Sequence, residues 1–224
     1  MRSRGKTAVE LLNPNDAYET AIKNFVSSIL DRSQSAEFLT SLGAIARRAA
    51  LLGALNSLTQ LTLKAAIPGI PDFYQGTELY DLAMVDPDNR RPVDYEQRKH
   101  LLHSLSPRPA DSWEDGRIKF EWTRLLLGAR QRHPQVFALG DYAPLPVQGT
   151  DADHVIAFSR RHEGQYCHVV ALRRFGLLTD FGRRWASFSE LDARVVLGGK
   201  VIQVSTILAD MPAALLFNDE TRVN

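Results

Sequence analysis

One cysteine, Cys167, in 224 residues excludes an internal disulfide and a cysteine-rich zinc site, and it suits a reducing compartment. There is no excess of charge either. Lys and Arg number 27 against 26 Asp and Glu, a formal net charge of +1, so no global field draws the chain to nucleic acid or to an anionic membrane. No apolar run approaches the ~20 residues that span a bilayer. The start, Met1 to Thr7, leads only into the short stretch Ala8-Val9-Glu10-Leu11-Leu12 rather than a signal-peptide core. These absences predict a cytoplasmic protein. What is present is 44% hydrophobic and 24% charged residues, enough to bury a real core.

The first 140 residues read as helical. Asn13-Pro14-Asn15 offers a capping oxygen and an early helical proline, followed by apolar residues at Tyr18, Ile22, Phe25, Val26, Ile29 and Leu30. After the polar break 31–35, a longer pattern runs through Phe38, Leu42, Ile45, Ala49, Leu52, Leu55 and Leu58, with Gly43 and Gly53 making one or two bends possible. Pro68 and Pro71 forbid its continuation, and 70–74 reads as a short strand. A long polar loop from Gly76 to Pro92 follows. Asp94 with Gln97 resembles a capping box, opening a helix that ends before Pro107. Another helix is predicted over 116–132, with Pro134 marking its exit.

Beyond Gly140 the texture becomes β. Val155–Phe158 and Tyr166–Leu172 form an expected hairpin around a turn at 160–164. A second hairpin, 193–197 with 200–204, turns at Gly198-Gly199, and Ala213–Phe217 is a further strand. The expected fold class is α+β, a mainly helical region over 1–140 and a small antiparallel β domain over 141–224.

The densest polar feature is Asp72-Phe73-Tyr74-Gln75-Gly76-Thr77-Glu78 with Asp86-Pro87-Asp88-Asn89-Arg90-Arg91-Pro92. Carboxylates and Asn exchange hydrogen bonds with hydroxyls, Arg forks across vicinal oxygens, and Tyr offers a ring face, a combination that suits sugar recognition. The competing reading is a solvated loop held by its own Asp–Arg pairs. Glu78, Asp81, Asp86 and Asp88 offer carboxylates, but spacing in a loop does not fix the separation that glycoside chemistry requires. His100 and His103 share a helix without a third ligand at metal-site spacing. Cys167 and His168 are adjacent on a strand and so point to opposite faces, which argues against a nucleophilic dyad. Five Arg-Arg pairs, at 47, 90, 160, 173 and 183, read as solvated faces, with the pair at 90 set apart by its loop.

Ile67 to Leu79 resembles the last barrel strand of the α-amylase superfamily, glycoside hydrolase family 13. The run Leu82-Ala83-Met84-Val85-Asp86-Pro87-Asp88-Asn89-Arg90-Arg91-Pro92-Val93-Asp94-Tyr95 is more specific. With Leu12 to Tyr18 and the closing segment Met211 to Leu216, it resembles the C-terminal portion of the maltooligosyltrehalose synthase family.

That resemblance implies the last part of a (β/α)8 barrel, with its closing strand near 71–75, followed by the β domain. It implies an isomerase that converts the reducing-end α-1,4 linkage of a maltooligosaccharide to α-1,1 by intramolecular transglucosylation. A retaining mechanism would need no metal or cofactor. The family's catalytic carboxylates belong to barrel segments without a match here, so no residue is assigned as nucleophile or acid. Its substrate-facing character carries over to Tyr74, Gln75, Glu78, Asp86, Asp88, Asn89, Arg90 and Arg91. The implied partners are a maltooligosaccharide and either the N-terminal barrel portion or a second copy. The alternative is a free-standing carbohydrate-binding or interaction module.

Overall fold

The computed structural model describes residues 15–84, 88–103, 113–208, 211–218 and 222–223. The chain divides into two compact units, Met1–Ala49 and Ala50–Asn224.

In the first unit, helix α1 spans Asp16–Leu30. Asn15, within the expected start Asn13-Pro14-Asn15, caps it by accepting from the Tyr18 amide at 3.0 Å, while Asn13 and Pro14 lie outside the described residues. Asp31 ends α1 and opens helix α2, Arg32–Ala66. Its carboxylate accepts from the Ser33 amide and hydroxyl and from the Gln34 amide group at 2.7–2.9 Å. These donors hold the Asp31 carboxyl below the usual carboxylate range. The backbone stays helical at Gly43 and Gly53, where bends were possible. The non-helical residue inside α2 is instead Ser35, at φ −135° and ψ 38°, where the hydroxyl competes for the Ser28 carbonyl at 3.1 Å. Tyr18, Ile22, Phe25, Leu30, Phe38 and Ile45 are exposed.

By length and composition α2 is long enough to cross a membrane, unlike the sequence expectation. From Leu51 on, however, its apolar residues are spent on a protein core: Leu55, Leu58, Ala65 and Ala66 are fully buried.

The second unit adds helices α3 (Tyr95–His103), α4 (Arg117–Arg132) and α5 (Pro134–Leu139). Pro134, expected to end a helix, also begins one, because its missing N–H costs nothing at a first helical position. Eight strands follow among the described residues: β1 (Asp141–Pro144), β2 (Val147–Gln148), β3 (Val155–His162), β4 (Gln165–Leu172), β5 (Arg194–Leu197), β6 (Lys200–Gln203), β7 (Ala213–Phe217) and β8 (Arg222–Val223), with the short helix α6 (Val204–Leu208) before β7. One antiparallel sheet has the order β1-β3-β4-β7-β8 and a smaller one β2-β5-β6.

The β3–β4 hairpin is longer than expected, because its turn is only Glu163-Gly164, at φ 46° and 81°. Arg160 and Arg161 therefore belong to β3 and not to the turn. Gly198-Gly199, at φ 54° and 82°, makes the predicted second hairpin turn.

The larger sheet is covered on both faces, and β4 is buried continuously from Cys167 to Leu172. One face packs Phe158, Cys167, Val169 and Leu215 on Leu58, Trp122, Leu126 and Phe137 of the helices. The other packs Val170, Leu172 and Ala214 on Val195 and Leu197 of the smaller sheet. The change of texture near 140 thus marks where strands begin, while the core runs through helices and sheet alike. Arg160 is fully buried within it.

Candidate functional site

The polar loop runs from the end of α2 to the start of α3. Gly69, at φ 105°, turns the chain out of α2. Along 71–74, Pro71 and Phe73 are half-buried while Asp72 and Tyr74 are exposed, the alternation of a strand. No ladder forms at the strand expected near 71–75, and Ile70 is 99% exposed. A strand exists through its hydrogen-bonded neighbours, and Pro71 removes one donor as well. Phe73 is anchored instead by the Lys64 ammonium, 4.3 Å above its ring.

The loop then folds back on α3. Arg98, on α3, reaches it twice: its Nε donates to Glu78 Oε2 at 2.9 Å and a terminal nitrogen donates to the Gly76 carbonyl at 2.6 Å. Its other terminal nitrogen donates to the Asp94 carbonyl at 3.0 Å, within its own helix start. The Tyr95 hydroxyl donates to Gln75 Oε1 at 2.6 Å. Both grips depend on where α3 begins, which the predicted cap fixes: Asp94 Oδ1 accepts from the Gln97 amide at 2.9 Å. Gly76 is required at φ 91°, where a β-carbon would stand 3.0 Å from Val93.

The second half of the loop is self-braced. Asp88 opens the 3-10 turn Asp88–Arg90, accepts from the Met84 amide at 2.7 Å and pairs with Arg91. The Met84 amide, and then Arg91, hold the Asp88 carboxyl below the ordinary range. Asp81 accepts from the Ala83 amide at 2.9 Å.

Beneath the loop, Leu79 packs with Leu101 and Phe120, and Lys119 donates to the Leu79 carbonyl at 3.1 Å. Burial, reinforced by Lys64, lowers the Lys119 ammonium, against the pull of Asp81 and Glu78. Tyr80 lies edge-on to Trp113, and its hydroxyl, buried without a partner, is pushed up to about 12, first by burial and then by Asp115 and Glu114.

The structure therefore divides the sequence-predicted residues. Gln75, Glu78 and Asp88 are engaged in holding the loop. Tyr74, Asn89 and Arg90 are exposed on it, as is Arg91, which also pairs with Asp88, and Asp86 lies outside the described residues. Sequence reasoning missed Arg98, Tyr95 and Lys119. Arg98 stands four residues after the recognised cap Asp94, and that spacing was the available signal, since i and i+4 share a helix face. Of the other candidates, His100 and His103 are exposed on α3, whereas Cys167 is buried in the helix-facing core and its thiol is pushed well up by burial.

No protein-family model matches the chain. It is 37% identical over 151 residues, 66% of its length, to a putative maltooligosyl trehalose synthase of Mycobacterium tuberculosis, and the match covers 18% of that relative. Its fold matches the structure of maltooligosyltrehalose synthase from Arthrobacter ramosus with a TM-score of 0.72 and 29% identity, over 93% of this chain and 27% of that one. A crystal structure of another maltooligosyl trehalose synthase matches with a TM-score of 0.59 at 28% identity, over 74% of this chain and 22% of that one. The chain thus spans about a fifth to a quarter of the length of these relatives. In sequence and in fold, it matches a portion of the maltooligosyltrehalose synthase family.

Proposed function

We propose that this chain is the C-terminal portion of a cytoplasmic glycoside hydrolase family 13 isomerase. The complete enzyme converts the reducing-end α-1,4 linkage of a maltooligosaccharide into an α-1,1 linkage. The observation that carries this reading is the fold match over 93% of the chain to a maltooligosyltrehalose synthase. Within the complete enzyme, residues 70–74 are a barrel strand whose hydrogen-bonding neighbours come from the rest of the barrel, which accounts for strand-like burial without a ladder here.

The chain's contribution is one wall of the sugar site. The exposed Tyr74 ring offers a face to a pyranose, and Asn89, Arg90 and Arg91 offer donors to its hydroxyls. Gln75, Glu78 and Asp88 brace that wall from α3 and from within the loop, so the donors are pre-positioned before sugar arrives. Bond cleavage belongs to carboxylates outside this chain.

Complementation in trans tests the reading. The Arthrobacter ramosus enzyme, shortened by the segment equivalent to this chain, is mixed with the chain and maltopentaose. Loss of reducing ends without release of glucose supports the proposal. Release of glucose, or turnover by this chain alone, contradicts it.

A further inference from the structure

We propose that a cleft at the end of the β region, separate from the 74–91 loop, binds a neutral oligosaccharide. It lies where the larger sheet extends past the β5–β6 hairpin, and its volume of about 780 Å³ falls in the range of small-molecule sites, ~300–1,000 Å³. Asp141, Arg161, Tyr166, His168 and Lys200 are among the residues that line it. Register sets two of its rows. Asp141, Arg161 and Tyr166 are successive partners across β1, β3 and β4, and Ser159, His168 and Leu216 are successive partners across β3, β4 and β7.

Two observations point to a ligand. The Tyr166 ring stacks on His168, 4.3 Å between centroids and 28° between planes, which builds a rigid aromatic wall. His168 is only 4% exposed, yet its Nδ1 has no hydrogen-bond partner. Buried polar atoms are nearly always paired, so the orphan Nδ1 is an uncompensated cost beside the cleft, relieved if a ligand's hydrogen-bonding group displaces what covers it.

Charge decides the ligand class. Asp141 and Glu163 balance Arg161 and Lys200 around the cleft, which leaves no net field for a phosphate or an ammonium. Burial lowers the His168 imidazole to about 4, so it is neutral at pH 7 and presents one donor nitrogen and one acceptor nitrogen. Mixed donors and acceptors beside a flat ring match a pyranose, with hydroxyls around its rim and C–H groups on its faces.

Titration of the full chain with maltopentaose, followed by NMR, is the test. Saturable shifts of the Tyr166 and His168 ring protons are expected, with affinity reduced about tenfold in Tyr166→Ala. Shifts confined to the 74–91 loop, a response to inorganic phosphate in place of maltopentaose, or no shift at these rings up to saturation of solubility would overturn it. Should Tyr166→Ala fail to fold, the wild-type ring shifts decide alone. Because the readout is binding at the β cleft, it is independent of whether the complete enzyme isomerises glucans.

Discussion

Arg160 donates to the carbonyl of Ala66 at 2.8 Å, joining the middle of β3 to the last residue of α2. The same guanidinium donates to Phe137 at 3.0 Å and to Gly140 at 2.8 and 3.2 Å. One buried cation thereby satisfies carbonyls at the ends of two helices, where the macrodipole favours positive charge. Arg130 adds a donor to Ala65 at 2.6 Å. The point where α2 gives way to the loop is fixed to the sheet by these contacts, so the core positions the candidate site.

Arg160→Met should lower stability by about 3 kcal/mol or more, since it strands three buried carbonyls. For a chain of this size that is a fall in Tm of roughly 6–12 °C. Arg160→Lys should recover only part of the loss, because an ammonium lacks the planar fork that serves several acceptors at once. Thermal melts of the three proteins check it.

Much of this architecture is legible in the sequence. The α1 pattern, the Asp31 break, the Asp94 cap and both hairpins follow from local chemistry and appear near their expected places. What was not legible depended on distant partners. Arg160 looks like a surface residue because charge predicts exposure, and only carbonyls 20 and 94 residues away make it a core residue. Residues 70–74 carry a strand's alternation, but pairing is a property of neighbours and not of the segment itself. In the candidate site, the polar loop was visible as composition. Which residues brace it and which face outward depended on Arg98 and Tyr95, contributed by the next helix.

Arg98→Ala should loosen the loop while leaving the fold intact. The Glu78–Arg98 pair is partly exposed, so its loss should cost only about 1 kcal/mol of stability. The loop amides of 75–80 should exchange faster, and hydrogen exchange measures this directly. Unchanged protection would contradict the bracing role.

Replacing Arg90 and Arg91 together by Ala should reduce kcat/KM of the complete enzyme by the equivalent of about 1.5–3 kcal/mol, the value of a charge-assisted hydrogen bond. Little change in Tm is expected, because both side chains are on the exposed rim. Turnover equal to wild type would assign this loop a structural role only.

Stability should fall on acidification through His168. Burial, and then Arg161, depress its folded pKa from 6.5 to about 4. The unfolded chain therefore binds more protons between those values, and stability rises with pH across that window. The contribution is complete above pH ~6.5 and is lost as pH falls toward ~4, by at most about 3 kcal/mol. His168→Gln should flatten this part of a urea-stability profile measured from pH 4 to 7.

The isolated chain should associate or bind a hydrophobic dye. Phe25 is 61% exposed, Leu30 57% and Ile45 63%, a density of exposed apolar side chains that soluble monomers seldom carry. Sedimentation at low micromolar concentration should show species above the monomer mass. A compact monomer that leaves the dye dark would contradict it.

If this chain forms one wall of a maltooligosyltrehalose-forming site, a graft in cis will restore that activity. The chain replaces its equivalent segment in the Arthrobacter ramosus enzyme, and the fused protein is incubated with maltopentaose. The α-1,1-linked product, identified by its anomeric NMR signals, should form in the graft and fall in the Arg90→Ala, Arg91→Ala version at equal Tm. A folded graft that forms no α-1,1 linkage, or forms it equally well without both arginines, would contradict the account.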